Sequence, residues 1–259
     1  MGDFVSYKFK DGIAVVTIDN PPMNVLSKQV QKELKEMIDK LESDNEVVCV
    51  VLTTSGKKVF IAGADIKEFP HMIDNPKMHE DVMAMHEVLS SLDSMSKPTI
   101  VVLDGLTLGG GCELALAFDI RIMEEHVQIG LPEVNLGIFP GAGGTQRLPR
   151  LVGTAKAKEM MYTGEPISSN EAEKIGLVNK VASSGNGLNV AMELAEKIST
   201  KSLQSLSRIK KAVDEGLEKN LSEGIEIEAK LFEEAFKTED AKEGVEAFIE
   251  KREAYFTHK

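Results

Sequence analysis

The run VVCVVLTT (residues 47–54) carries no charge and no polar alternation, and it is only long enough for one strand. A strand apolar on both faces must be covered on both, as in a parallel sheet with helices packed against it. PTIVVLDG (98–105) repeats the pattern. GGGCELALAF (109–118) then opens a helix, and DIRIM (119–123) returns to a strand. Upstream, FVSYKFK and IAVVTID flank Asp11-Gly12, which reads as a hairpin turn. NPPMNVLS (20–27) is a loop with two prolines, and Ser27 is placed to cap a helix carrying Val30, Leu34, Met37, Ile38 and Leu41 at helical spacing. FIAGADIKEF (60–69) leads from a strand into a turn or helix, and residues 76–96 read as a polar, methionine-containing helix. Strand and helix thus alternate through the first half of the chain, which predicts an α/β fold.

The last third changes character. NVAMELAEKIST, SLQSLSRIKKAVDEGLEK, SEGIEIEAKLFEEAFKT and DAKEGVEAFIEKREAYF are four amphipathic helical patterns with no strand left to cover. Leu203, Leu206, Ile209, Val213 and Leu217 form one apolar stripe. The expected organisation is a core over residues 1–195 and a helical region over 196–259.

A chain of 259 residues can bury roughly three quarters of its unfolded surface. Its net charge of −12 disfavours sequence-independent binding to a phosphate backbone, so no nucleic-acid partner is expected. Cys49 and Cys112 sit in apolar stretches and form no CxxC pair, which predicts a reducing, cytoplasmic setting without disulfide or zinc. No apolar run reaches the ~18 residues of a membrane span. The N-terminal stretch lacks the apolar segment of a signal peptide. It fits a loose myristoylation pattern through Gly2 and Ser6, but the hairpin explains the same residues.

Two carboxylates stand out. Glu133 is the only acid in GLPEVNLGIFPGAGGTQRLPR (130–150), and Glu113 is the only one within LGGGCELALAF (108–118). An apolar setting disfavours the charged form and raises a carboxyl pKa. Two such groups facing each other suit acid/base work, one giving a proton and the other taking one. Each also has a plainer explanation: it points to solvent or caps a helix, and Glu133, following Pro132, fits a first helical turn. The glycines favour the chemical reading. LGGGCE leaves a strand and opens a helix, so it can present N–H groups to an oxyanion. It lacks the Gly-Lys-Ser/Thr of a P-loop, the GxGxxG fingerprint and the GxSxG elbow. AGAD (62–65) is a second turn of small residues that can supply another N–H.

His71, His79, His86, His126 and His258 form no metal-ligand spacing, so no metal is expected. Met72, Met78, Met83, Met85 and Met95 suit either a pliable pocket or a helix core.

Taken together, NPPMNVLS, FIAGADIKEF, GLTLGGGCELALAFDIRI, GLPEVNLGIFPGAGGTQRLPRLVG and AFIEKREAYF resemble the enoyl-CoA hydratase/isomerase (crotonase) family, in family order and across essentially the whole chain. The resemblance implies a crotonase-like spiral of ββα units with a C-terminal all-helical region that builds homotrimers or homohexamers. It implies an oxyanion hole of two backbone N–H groups at Ala64 and Gly110, holding a thioester enolate. It places acid/base work on Glu133, which exchanges a proton with the α-carbon, and on Glu113, which activates the water added at the β-carbon. Gly141 would position that water through its backbone. Coenzyme A would lie against Ala62, Asp65, Ile66 and Lys67, and against Phe248 and Lys251 reaching into a neighbouring subunit's site.

Retention of both glutamates favours hydration of a trans-2-enoyl-CoA to a 3-hydroxyacyl-CoA, as in fatty-acid β-oxidation, with no cofactor beyond the coenzyme A of the substrate. The alternatives are a Δ3,Δ2-enoyl-CoA isomerase, a hydratase of a branched or dicarboxylic enoyl-CoA, and a non-catalytic homologue that binds RNA or a protein partner. The 69–95 segment, which lines the acyl pocket in the family, leaves chain length open.

Overall fold

Asp11 and Gly12 both take positive φ, 50° and 77°, as a tight two-residue hairpin turn requires. They join β1 (Val5–Lys10) to β2 (Ile13–Ile18) as an antiparallel pair. The computed structural model describes residues 2–56 and 58–259, without the side chain of Ile66. Ser27 caps α1 (Lys28–Ser43) as the sequence predicts, its side chain accepting from the Val30 N–H at 3.4 Å. The chain continues through β3 (Cys49–Thr54), β4 (Val59–Ala62), α2 (Phe69–Met72) and α3 (Met78–Asp93). Next come β5 (Thr99–Leu103), β6 (Leu106–Leu108), α4 (Gly110–Ala115), β7 (Ile120–Glu124) and β8 (Gln128–Gly130). They are followed by α5 (Gly144–Val152), α6 (Thr154–Thr163), β9 (Ile167–Ser168), α7 (Ser169–Lys174), β10 (Lys180–Ala182) and α8 (Gly187–Ser199).

The strands form two sheets. The larger has the order β1-β2-β3-β5-β7-β10, and the smaller β4-β6-β8-β9. Each pair β3/β4, β5/β6 and β7/β8 gives its first strand to the larger sheet and its second to the smaller. From β2 onward the larger sheet is parallel throughout. Repetition of this strand–strand–helix unit winds the chain into a spiral and brings the exits of β4 and β6 side by side, paired in parallel. That pairing places AGAD next to LGGGCE.

The apolar run 47–54 is buried along the whole of β3. Its alternate residues serve two cores, as the two-residue period of a strand dictates. Val50 and Leu52 face α1 and the smaller sheet, whereas Cys49 and Val51 join Ile100, Val102, Ala191 and Ala195 on the other face. The sequence groups residues 189–200 with helices that have no strand to cover. The structure differs, since α8 covers the outer face of the larger sheet through Ala191 and Ala195. Small residues on that stripe let the helix approach the strands closely. α8 runs through the expected boundary at residues 195 and 196.

The remaining helices are α9 (Leu203–Leu217), α10 (Leu221–Ala235) and α11 (Glu239–Glu250). α9 and α10 cross closely at two glycines, where a Cβ on Gly224 would stand 3.3 Å from the Gly216 carbonyl oxygen. The predicted α9 stripe is not a core of this chain: Ile209 and Leu217 are 62% and 80% exposed. The C-terminal tail is tied down by Asp240, which is buried. Its carboxylate accepts from the Ser202 hydroxyl at 2.6 Å and from the Thr257 N–H at 2.8 Å.

Candidate active site

The two glycine-rich turns meet. Gly63 leaves β4 at φ 94° and Gly109 leaves β6 at φ 54°, both in the region that favours glycine. The Gly63 carbonyl is fixed by the Leu26 N–H at 3.0 Å, and the Gly109 N–H by the Gly130 carbonyl at 2.9 Å. Between these anchors Ala64 and Gly110 come together. A Cβ on Gly110 would lie only 3.5 Å from the Ala64 nitrogen. Gly110 is the first residue of α4, where helical N–H groups have no partner within the helix. Ala64 beside it is exposed, and its nitrogen is near enough to Gly110 for the two backbone N–H groups to serve one oxyanion.

Glu133 sits against the Gly109 turn, and Glu113 is on the helix that Gly110 opens. Glu133 starts a 3-10 turn at Glu133–Leu136, directly after the β8 exit. Its Oε1 lies 2.9 Å from where a Cβ on Gly109 would stand, so glycine at 109 makes room for the carboxyl group. Its Oε2 is buried without a hydrogen-bond partner among the described residues. Unpaired buried polar atoms are rare in folded proteins, and a catalytic role is one physical reason to keep one. Burial pushes the Glu133 carboxyl up to about 7; its own backbone N–H opposes the shift and the negative charge of Glu113 adds to it.

Glu113 is on α4 and is 3% exposed. Its Oε1 accepts from the N–H groups of Ala142 at 2.7 Å and Gly144 at 2.8 Å. Burial raises its pKa, against the pull of those two donors and of the Arg147 charge. Gly144 must be small here, because a Cβ would stand 3.1 Å from Glu113 Oε1 and 2.9 Å from the Pro140 Cβ. The two carboxyls therefore differ by environment. Glu113 has donors that favour its ionised form, and Glu133 has an oxygen with none.

Other expected positions are placed less tightly. Gly141 is exposed and is not one of the two donors to Glu113; its neighbours Ala142 and Gly144 are. The resemblance assigns FPGAGG a water-positioning role at Gly141, and no sequence signal marks Ala142 and Gly144 as the donors to Glu113, because which N–H points inward depends on the turn. Ala62 and Asp65 are half-buried, and Lys67 is exposed with its N–H on Asp65 Oδ1 at 3.1 Å. The side chain of Ile66 lies outside the described residues. Phe248 on α11 is 85% exposed, and Lys251 just beyond it is exposed as well. Neither makes a hydrogen bond or ion pair with the glutamate cluster among the described residues. Of the methionines, Met95 is buried while Met78 and Met83 are exposed. Among the described residues no three His, Cys, Asp or Glu side chains converge as a metal would need.

The chain is similar to known proteins over its whole length. A family model for enoyl-CoA hydratase/isomerase matches residues 8–259. The chain is 42% identical to a short-chain-enoyl-CoA hydratase of Clostridium acetobutylicum, over 94% of each chain. It is 40% identical to a crotonyl-CoA hydratase of Syntrophomonas wolfei, over 96% of each. A crystal structure of an enoyl-CoA hydratase from Bacillus anthracis superposes with a TM-score of 0.95 at 34% identity, covering 99% of this chain and all of that one. The spiral of strand–strand–helix units is accordingly the crotonase fold, and the chain belongs to the enoyl-CoA hydratase/isomerase family.

Proposed function

We propose that this protein is an enoyl-CoA hydratase that adds water to a short trans-2-enoyl-CoA to give the 3-hydroxyacyl-CoA. The observation that carries the reading is the pair of dissimilar glutamates, Glu113 held by two N–H donors and Glu133 against the Gly109 turn with an unpaired oxygen. The names of relatives near 40% identity, a short-chain-enoyl-CoA and a crotonyl-CoA hydratase, support the activity and the short acyl chain.

In this reading the thioester oxygen lies between the N–H groups of Ala64 and Gly110. Glu113, ionised, takes a proton from water as the water oxygen bonds to the β-carbon. The electron pair of the carbon–carbon double bond moves to the bond between the α-carbon and the carbonyl, and the carbonyl pair moves onto oxygen. The two N–H groups stabilise that oxyanion. As it collapses, Glu133 gives its proton to the α-carbon. An acid titrating near 7 is matched to both the giving and the taking of a proton at neutral pH. The addition is redox-neutral and in this reading the developing charge is met by backbone donors, so it calls for no cofactor beyond the coenzyme A of the substrate.

The coenzyme A portion would run past Ala62, Asp65, Ile66 and Lys67, with Lys67 supplying a local cation on a chain of net charge −12. Gly141, exposed beside the donors to Glu113, would help position the water. Phe248 and Lys251 would act in a neighbouring subunit's site. A homotrimer, or a pair of trimers, accounts for the exposed apolar side chains Ile209, Val213, Leu217, Phe232 and Phe248. Light scattering on the purified protein tests the assembly. Two buried free thiols, and the absence among the described residues of any helix long and apolar enough to cross a membrane, are consistent with a cytoplasmic setting.

The test is loss of the conjugated-enoyl ultraviolet absorbance on mixing with crotonyl-CoA, then with a medium-chain enoyl-CoA. Rapid loss that Glu133→Gln abolishes is the expected result. No loss with either substrate, in protein that still binds the thioesters, overturns this short-chain hydratase reading and favours isomerisation or a branched or dicarboxylic substrate.

A further inference from the structure

Glu113 is gripped by a turn that is itself held from behind. The residue between its two donors, Gly143, takes φ 110°, and a Cβ there would collide with Nη1 of Arg147. Arg147 is one turn further along α5, its N–H on the Gly143 carbonyl at 2.8 Å. Its guanidinium thus folds back over the middle of the Ala142–Gly144 turn. The outward edge of the guanidinium is fixed as well: Nε and Nη2 both donate to Asp93 Oδ2, at 3.3 and 3.1 Å. Asp93 is the last residue of α3.

We infer that Arg147, anchored by Asp93, is a positioning residue for Glu113: it fixes the Ala142–Gly144 turn and favours the ionised carboxylate. The inference rests on the reading of Glu113 as the group that activates water. The pair is no source of fold stability, because Asp93 is half exposed to solvent and such pairs add little. The charge of Arg147 instead acts inward, against the burial that raises the Glu113 pKa. The other groups facing Glu113 are Cys112 and Glu133, neither of which supplies a positive charge. Asp93 in turn feels Arg121 and Asp214 besides Arg147. Arg147 is therefore the one cation identified as acting on Glu113 among the described residues.

The test has a readout that does not depend on turnover. The amide resonances of Ala142 and Gly144 report the ionisation of Glu113, and Glu113→Gln identifies that signal by removing it. In Arg147→Gln the midpoint of this titration should rise by about half to one pH unit. The same variant should lower kcat for crotonyl-CoA about tenfold, with KM changed by less than about threefold. Arg147→Lys should restore most of the midpoint, since it keeps the charge, but only part of kcat, since it lacks the planar fork. Asp93→Asn should fall between wild type and Arg147→Gln. An unchanged midpoint in folded Arg147→Gln protein overturns the inference, and so does a shifted midpoint with unchanged kcat in an active enzyme. If wild-type protein hydrates no enoyl-CoA, the functional reading fails, while the titration midpoints still decide whether Arg147 controls Glu113.

Discussion

Gly109 and Glu133 share one space: a side-chain carbon on Gly109 would stand 2.9 Å from Glu133 Oε1. Residues 24 positions apart are pressed together because the β6 and β8 exits lie side by side. Gly109→Ala should therefore displace the Glu133 carboxyl and force an L side chain to φ 54°. The strain costs about 1–3 kcal/mol, and kcat should fall more than the lost stability explains. Denaturant unfolding beside crotonyl-CoA hydration kinetics checks both halves.

Glu133→Gln should change stability in a pH-dependent way. A carboxyl whose folded pKa is about 7, above its ordinary value of 4.5, opposes folding once the unfolded chain is ionised. Stability is then lost as pH rises from about 4.5 to about 7, by at most about 3 kcal/mol for a half-buried group. The glutamine variant escapes this loss. It should be more stable than wild type at pH 8 and no more stable at pH 4, while its turnover falls by about two orders of magnitude or more. Urea melts of both proteins at the two pH values provide the comparison, and equal differences at both would contradict it.

Glu113→Ala should destabilise the protein as well as inactivate it. Removal of the carboxylate leaves the Ala142 and Gly144 N–H groups without their acceptor, at a cost of about 1–3 kcal/mol for each group that water does not reach. Glu113→Gln keeps an oxygen acceptor, so it should lose activity with a smaller loss of stability. Thermal melting of the two variants separates the roles.

Asp240→Ala should release the C-terminal tail. Its carboxylate holds the Thr257 and His258 N–H groups and the Ser202 hydroxyl. Limited proteolysis should cleave the tail after residue 250 much faster in the variant, leaving the β-sheet core intact by mass spectrometry. Unchanged cleavage would mean that the tail is held by other contacts.

The α/β alternation, the hairpin at Asp11-Gly12 and the Ser27 cap were legible in the sequence, and so was the isolation of Glu113 and Glu133 in apolar surroundings. These rest on local periods, turn chemistry and charge in apolar surroundings, all properties of neighbouring residues. The motif order carried the family resemblance. That the Ala142 and Gly144 N–H groups hold Glu113 emerged from the three-dimensional arrangement alone, because where an N–H points depends on how the whole turn is folded. Nor did the sequence show that α8 belongs to the sheet while the α9 stripe stays uncovered within one chain. An amphipathic pattern states that a helix has an apolar face; what that face meets depends on where the strands before it have placed the chain.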